Sequence, residues 1–168
     1  AAVLAGDLPT FSGLERYRTP DADEVLAAWR ELIVAVQAVP GIAQVWLHSC
    51  APGLDPDLLM RAGFDGLAVE SRHLDLDVAG DWLDAGRTLA LGVVRTDQPQ
   101  VPGVDEITRS ALEPLRRLGV DPVTAADRVV LTPACGLAGW SMRDAAAILD
   151  RLGQASGLVA EQLQGSAT

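Results

Sequence analysis

The sequence predicts an α/β fold of four parallel strand–helix units behind a leading helix, half of a (β/α)8 barrel. Three observations predict it. Stretches of helical periodicity alternate with short apolar runs along the whole chain. Those short runs are continuous rather than alternating, as in parallel strands buried on both faces. Four units fill the 168 residues, whereas a complete barrel has eight and runs to about 250 residues. A helix with no strand before it fits a barrel entered at its middle. A small open doubly wound sheet is the alternative that the same pattern allows.

The leading helix is predicted over 21–39, DADEVLAAWRELIVAVQAV, whose acidic start suits the helix dipole. AQVWLH, 43–48, follows Pro-Gly and predicts the first strand. In DPDLLMRAG, 55–63, Asp55 supplies an N-cap, Pro56 the first helical position and Gly63 the stop. DGLAVE, 65–70, reads as the second strand, and DVAGDWLDAG, 77–86, as a short helix weakened by Gly80 and ended by Gly86. TLALGVV, 88–94, is the third strand. GVDEITRSALEPLRRLG, 103–119, is a helix that Pro114 can kink. DRVVLTPACG, 127–136, holds the fourth strand, and 141–163 forms the closing helix, capped by Ser141. Trp29, Trp46, Trp82 and Trp140 fall mostly at core positions, where packing is the expected role.

Composition narrows the class. The length suits one compact domain over residues 1–168, and 49% hydrophobic residues exclude disorder. A net charge of −10 repels phosphate backbones and anionic lipid, so neither nucleic acid nor a membrane surface is an expected partner. No apolar stretch reaches the length of a membrane span, and the opening AAVLAG is too short and lacks the basic flank of a signal peptide. Two cysteines make no disulfide framework, and reduced thiols in a cytoplasm are expected. The chain begins at Ala1 directly on an apolar run, so a fragment of a longer protein is expected.

The chemistry sits at strand ends. The chain has 2 His and 2 Cys, and VWLHSC spends one of each on a single step off the first strand. His48 and Cys50 end that strand, Glu70 ends the second, and Cys135 follows the fourth. Carboxyl ends of parallel strands converge on one face, so these distant residues can meet. One nitrogen, two thiolates and one carboxylate form a four-coordinate set that suits Zn²⁺. Singly, each has an ordinary reading: a satisfied polar group, a small buried hydrophobe, a solvated rim residue. Cys50 and Cys135 can also join as one disulfide under oxidising conditions. Four such donors at the ends of three of the four strands argue for the metal.

LHSC, LAVESR and LTPACGL resemble, in order and approximate spacing, the zinc-binding catalytic barrel of the cobalamin-independent methionine synthases. VLAGDLPTFSGLERYR at the start and ALGVV in the middle extend the similarity over roughly residues 2 to 163. The match is to the C-terminal half of that barrel.

The resemblance implies zinc held by His48, Cys50, Glu70 and Cys135, and methyl transfer from a methyltetrahydrofolate-type donor to homocysteine. Zinc lowers the pKa of a bound thiol, so the nucleophile exists at neutral pH. Two thiolates and a carboxylate outweigh the charge of Zn²⁺ and keep electron density on the substrate sulfur. Glu70, the hard ligand of a soft site, is the one expected to yield to that sulfur. The family carries a histidine beyond the third strand for proton transfer to the leaving folate nitrogen, and Asp97 stands there. Asp97 can act as that acid only if burial raises its pKa. Ala134 stands where the family has an acid before its cysteine. Arg72 and His73 follow Glu70 where the family often has an arginine, but the register slips by one, so neither is given a site role and the solvated rim is the expected place for both. Methylcobalamin or another small methylated donor is the alternative, as is a non-catalytic zinc-binding remnant. Residues cradling the amino-acid part of homocysteine belong mainly to the other half of the family's barrel, so the chain alone is expected to be inactive. Its open edges call for that missing N-terminal half or a second copy of the chain.

Overall fold

The computed structural model describes residues 4, 6, 8–98, 100–119 and 121–165. Helix α1 (Ala22–Gln37) leads into β1 (Trp46–Ser49), α2 (Pro56–Ala62), β2 (Gly66–Glu70), α3 (Leu76–Asp84) and β3 (Thr88–Val94). Then follow α4 (Val104–Leu118), α5 (Pro122–Arg128), β4 (Val129–Pro133) and α6 (Met142–Gly165). Each strand runs parallel to the next in the order β1-β2-β3-β4. A doubly wound sheet reverses its order at a switch point. An unreversed order is that of one arc of a barrel, so the topology takes the half-barrel reading over the open sheet. Of the opening AAVLAG, residues 1–3 and 5 lie outside the described residues.

Capping chemistry sets the helix ends. The Asp21 carboxylate accepts from the Asp23 amide and Asp55 from the Leu58 amide, starting α1 and α2. Asp75 accepts from the amides of Asp77 and Val78, so α3 begins one residue before the predicted position. Ser141 Oγ takes the Asp144 amide at 3.1 Å and opens α6. Helix α4 runs through Pro114 without a break. Two elements depart from the sequence reading. Helix α5 was not foreseen, although Asp121 and Pro122 repeat the Asp-Pro start of α2; with Ala125 its one buried residue, it has no apolar stripe to read. Strand β1 starts at Trp46 because the Asp65 carboxylate takes the Val45 amide at 2.8 Å, ahead of the Trp46–Gly66 pairing.

Strand side chains alternate between two faces. Leu47, Leu67, Val69 and Leu89 pack with α1, α2 and α3 around the fully buried Trp82. Leu91 and Val93 pack with α4, α5 and α6 around Ile148. Burial of each such leucine contributes about 2 kcal/mol. The other face carries Trp46, His48, Ala68, Ala90, Gly92 and Val130, mostly small or polar residues. The two central strands, β2 and β3, are buried along nearly their whole length. Strands β1 and β4 are the edges, and Trp46 and Val130 stay 37% and 43% exposed. The outer edges of β1 and β4 pair with no strand among the described residues. Among those residues no helix is long and apolar enough to cross a membrane.

Candidate metal centre

The register brings the strand ends together. His48 pairs with Ala68, which pairs with Ala90, which pairs with Val130, so these residues share one level of the inner face. Cys50 follows His48 by two residues, on the level of Glu70. Glu70 is paired with Gly92, and Gly92 with Thr132. Beyond Thr132 the β3–β4 ladder shifts register, and the Ala134 amide donates to Val94 O at 2.8 Å. That shift carries Cys135 toward β1. The donor atoms of His48, Cys50 and Cys135 all lie within 4.8 Å of one another, and all three residues are exposed.

The two thiols are free and adjacent. Hydrogen bonding with Cys135 and its charge, then burial, push the Cys50 thiol above its ordinary value, with a smaller push from the Glu70 carboxylate. Crowded anionic donors of this kind favour a cation among them. Around a tetrahedral zinc with Zn–S near 2.3 Å, two sulfurs lie about 3.8 Å apart. Donor atoms all within 4.8 Å of one another are compatible with that spacing. Two sulfurs and one imidazole, open to solvent, fit a zinc site with a position left for exchange.

Glu70 stands outside that cluster. Its side chain is 8% exposed, and its Oε1 accepts from both Nε and a terminal nitrogen of Arg72. His73 Nε2 lies 3.7 Å from Oε2 of the same carboxylate. Arg72 is therefore no free rim residue. It satisfies a buried acid, which would otherwise be costly in this position. The signal was legible in principle: an acid ending a buried strand needs a cation nearby, and the 3₁₀ turn Ser71–His73 supplies it within two residues.

Arg72 also reaches Asp97, at 3.8 Å, and Asp97 grips Arg95 in a two-point bridge at 3.0 and 2.8 Å. Glu70, Arg72, Asp97 and Arg95 thus form a chain of alternating charge around the mouth. The hydrogen bonds from Arg95, aided by its charge and that of Arg72, hold the Asp97 carboxyl below the usual carboxylate range. Asp97 is 54% exposed. Both facts oppose the buried, raised-pKa acid that proton donation to a leaving nitrogen demands, so the condition set for Asp97 is not met in this arrangement. The loop carrying Asp97 toward α4 is tied down from behind, since Arg151 donates to the carbonyls of Val101 and Pro102.

Two glycines make room on the inner face. A Cβ on Gly66 would collide with the Trp46 ring at 2.5 Å, so the indole lies flat across β2. A Cβ on Gly92 would meet Ala134 Cα at 2.7 Å and Glu70 Cα at 3.2 Å. A cavity of about 370 Å³ adjoins the site, walled by Leu59, Leu67, Val69, Arg72 and His73. Its strand residues belong to the helix-covered face, so it lies behind the sheet rather than before the clustered donors.

Comparison with known proteins gives three findings. Residues 3–157 match the family described as cobalamin-independent synthase, catalytic domain. No curated protein sequence matches the chain. Among solved structures, a B12-independent methionine synthase from Shewanella sp. W3-18-1, in complex with selenomethionine, matches with a TM-score of 0.61 and 17% identity. The match covers 86% of this chain and 46% of that one, so the chain spans about half the length of the structure it resembles. At that identity the likeness shows a shared fold.

Proposed function

This chain belongs to the family of cobalamin-independent synthase catalytic domains, and from that premise we propose that it is the metal-bearing half of a zinc-dependent enzyme that methylates a thiol. Homocysteine is the proposed acceptor and a methyltetrahydrofolate-type compound the donor, with methionine as product. One observation carries the reading: His48, Cys50 and Cys135, from two different strand ends, gather their donor atoms within 4.8 Å at the mouth of the sheet. His48, Cys50 and Cys135 are the proposed permanent zinc ligands and Glu70 the fourth, exchangeable one. Zinc bound there supplies the Lewis acidity that lets a thiol bind as thiolate near neutral pH. The residues then have separate tasks. The two thiolates hold the metal and limit its charge. His48, on the inner face of β1, fixes the depth of the site. The alternating charges of Glu70, Arg72, Asp97 and Arg95 orient the mouth. Gly92, lacking a side chain, lets the Ala134 backbone pack close beside Glu70 and so helps to set where Cys135 stands.

The open edges of β1 and β4 and the exposed Trp46 support a further part of the reading. The domain over 1–168 is proposed to be the C-terminal half of a barrel, completed by an N-terminal half or by a second copy of the chain. The substrate's amino-acid part is then held across that junction. The cytoplasm, where thiols stay reduced, is the proposed setting.

The lowered pKa of Asp97 favours a second reading, in which the thiol chemistry is kept but the donor's leaving group needs no proton. A methylcobalamin is such a donor.

X-ray absorption of the reduced, zinc-loaded chain tests the metal assignment. Two sulfurs at about 2.3 Å and two lighter donors at about 2.0–2.2 Å are expected. A sulfur-free shell, or no zinc uptake under reducing conditions, defeats it. Single-turnover assays of the chain joined to the other barrel half, with each donor in turn, separate the two readings of the donor.

A further inference from the structure

Arg72 binds a residue that the metal would also claim. Its Nε and a terminal nitrogen both point at Oε1 of Glu70, a carboxylate 8% exposed and held outside the cluster of His48, Cys50 and Cys135. Arg72 is itself 45% exposed and shared with Asp97 at 3.8 Å, while Arg95 holds Asp97 from the far side. Asp97 therefore offers the guanidinium a second partner of opposite charge, at ion-pair distance. We propose that Arg72 is a positioning residue that competes with the metal for Glu70, keeping the carboxylate a weak and displaceable fourth ligand. The inference rests on the metal-centre reading above and adds what governs the exchange at that centre.

The physical argument is one of shared charge. A carboxylate already gripped by a guanidinium offers less electron density to a second cation. Moving Glu70 onto a metal loosens a charge-assisted pair, and that loss is subtracted from the metal–carboxylate bond. When an incoming thiol takes the fourth position, Glu70 returns to a ready partner and no buried charge is left unpaired. The device thus lowers the cost of ligand exchange in both directions. Without Arg72, the carboxylate has the metal as its remaining strong partner and binds it more firmly. An orienting role for Arg72 predicts the reverse, since loss of an outer-shell partner ordinarily weakens metal affinity by about 10- to 100-fold.

Cobalt(II) substitution of the whole chain reads this without any turnover. Wild type, R72Q, R72K, E70Q and the double variant R72Q/E70Q are titrated with cobalt and then with 2-mercaptoethanol, following the thiolate-to-metal and ligand-field absorption. Circular dichroism confirms that each variant is folded. The expected result is cobalt affinity about tenfold higher for R72Q than for wild type, the scale of one charge-assisted hydrogen bond no longer competing, with more 2-mercaptoethanol needed to change its spectrum. R72K keeps the positive charge and should fall near wild type. The R72Q effect should vanish in the E70Q background, because it acts through that carboxylate. Equal or weaker affinity in R72Q, or an effect that persists without Glu70, overturns the role of Arg72 while leaving the metal centre intact. Absence of any thiolate-to-metal band in wild type overturns the metal reading and this inference with it.

Discussion

Gly92 and Ala134 face each other so closely across the β3–β4 boundary that a Cβ on Gly92 would lie 2.7 Å from Ala134 Cα. The contact is backbone against side-chain space, with Glu70 Cα on the other flank at 3.2 Å. Cys135 is the next residue along. The closeness of two strands therefore sets where one proposed metal ligand stands.

Gly92→Ala should destabilise the fold by about 2 kcal/mol, the cost of overpacking a site that cannot open freely. It should also lower zinc affinity, because Ala134 must retreat and carry Cys135 with it. Urea unfolding and zinc competition on the same variant check both. Unchanged stability with unchanged affinity would show that the ladder shift after Thr132 absorbs the methyl group.

Zinc uptake should release about two protons per metal at neutral pH, one from each cysteine. The sign follows from Cys50, whose thiol is pushed up by Cys135 and is protonated in the metal-free chain at that pH. Affinity should thus climb with pH and fall away in acid. Calorimetry in buffers of different ionisation enthalpy gives the count, and a count near zero would argue against thiolate ligation.

Cys50→Ser and Cys135→Ser should each cost more zinc affinity than the roughly 10- to 100-fold typical of outer-shell changes. Glu70→Gln should cost the least of these three donor substitutions, as befits an exchangeable ligand. A chelator competition series ranks them. A larger loss for Glu70→Gln than for either cysteine variant would reverse the assignment of permanent and exchangeable ligands.

Asp97 should titrate below the usual carboxylate range, and Arg95→Gln should bring it back up. A depressed folded-state pKa adds stability that is present above the ordinary carboxylate value and lost as pH falls through the lowered one. Carbon-detected NMR of the side-chain carboxyl follows the titration. A midpoint above the ordinary value would restore Asp97 as a candidate acid for a folate donor.

The chain alone should associate at micromolar concentration, because β1 and β4 have open edges and the inner face exposes Trp46 and Val130. Sedimentation gives the mass, and loss of Trp46 fluorescence quenching on association, tested against Trp46→Phe, reports that the inner face is the one covered. A stable monomer with a cooperative unfolding transition would remove the need for a second half or copy.

Element type and the His48–Cys50 pair were legible in the sequence because both are local. Asp55-Pro56 and Gly63 mark a helix in nine residues, and TLALGVV is a strand by its own composition. His48 and Cys50 announce themselves by rarity in a chain with 2 of each. Helix α5 escaped because its start signal has no apolar stripe behind it. The tertiary structure alone decided three things. The unreversed order β1-β2-β3-β4 chose the barrel arc over the open sheet, since strand order depends on pairings between residues far apart in the chain. It joined Cys135 to His48 and Cys50 while turning Glu70 to Arg72. It also turned Asp97 from a candidate acid into a held carboxylate, because a side chain's proton affinity is set by whichever charges the fold brings beside it, here Arg95 and Arg72.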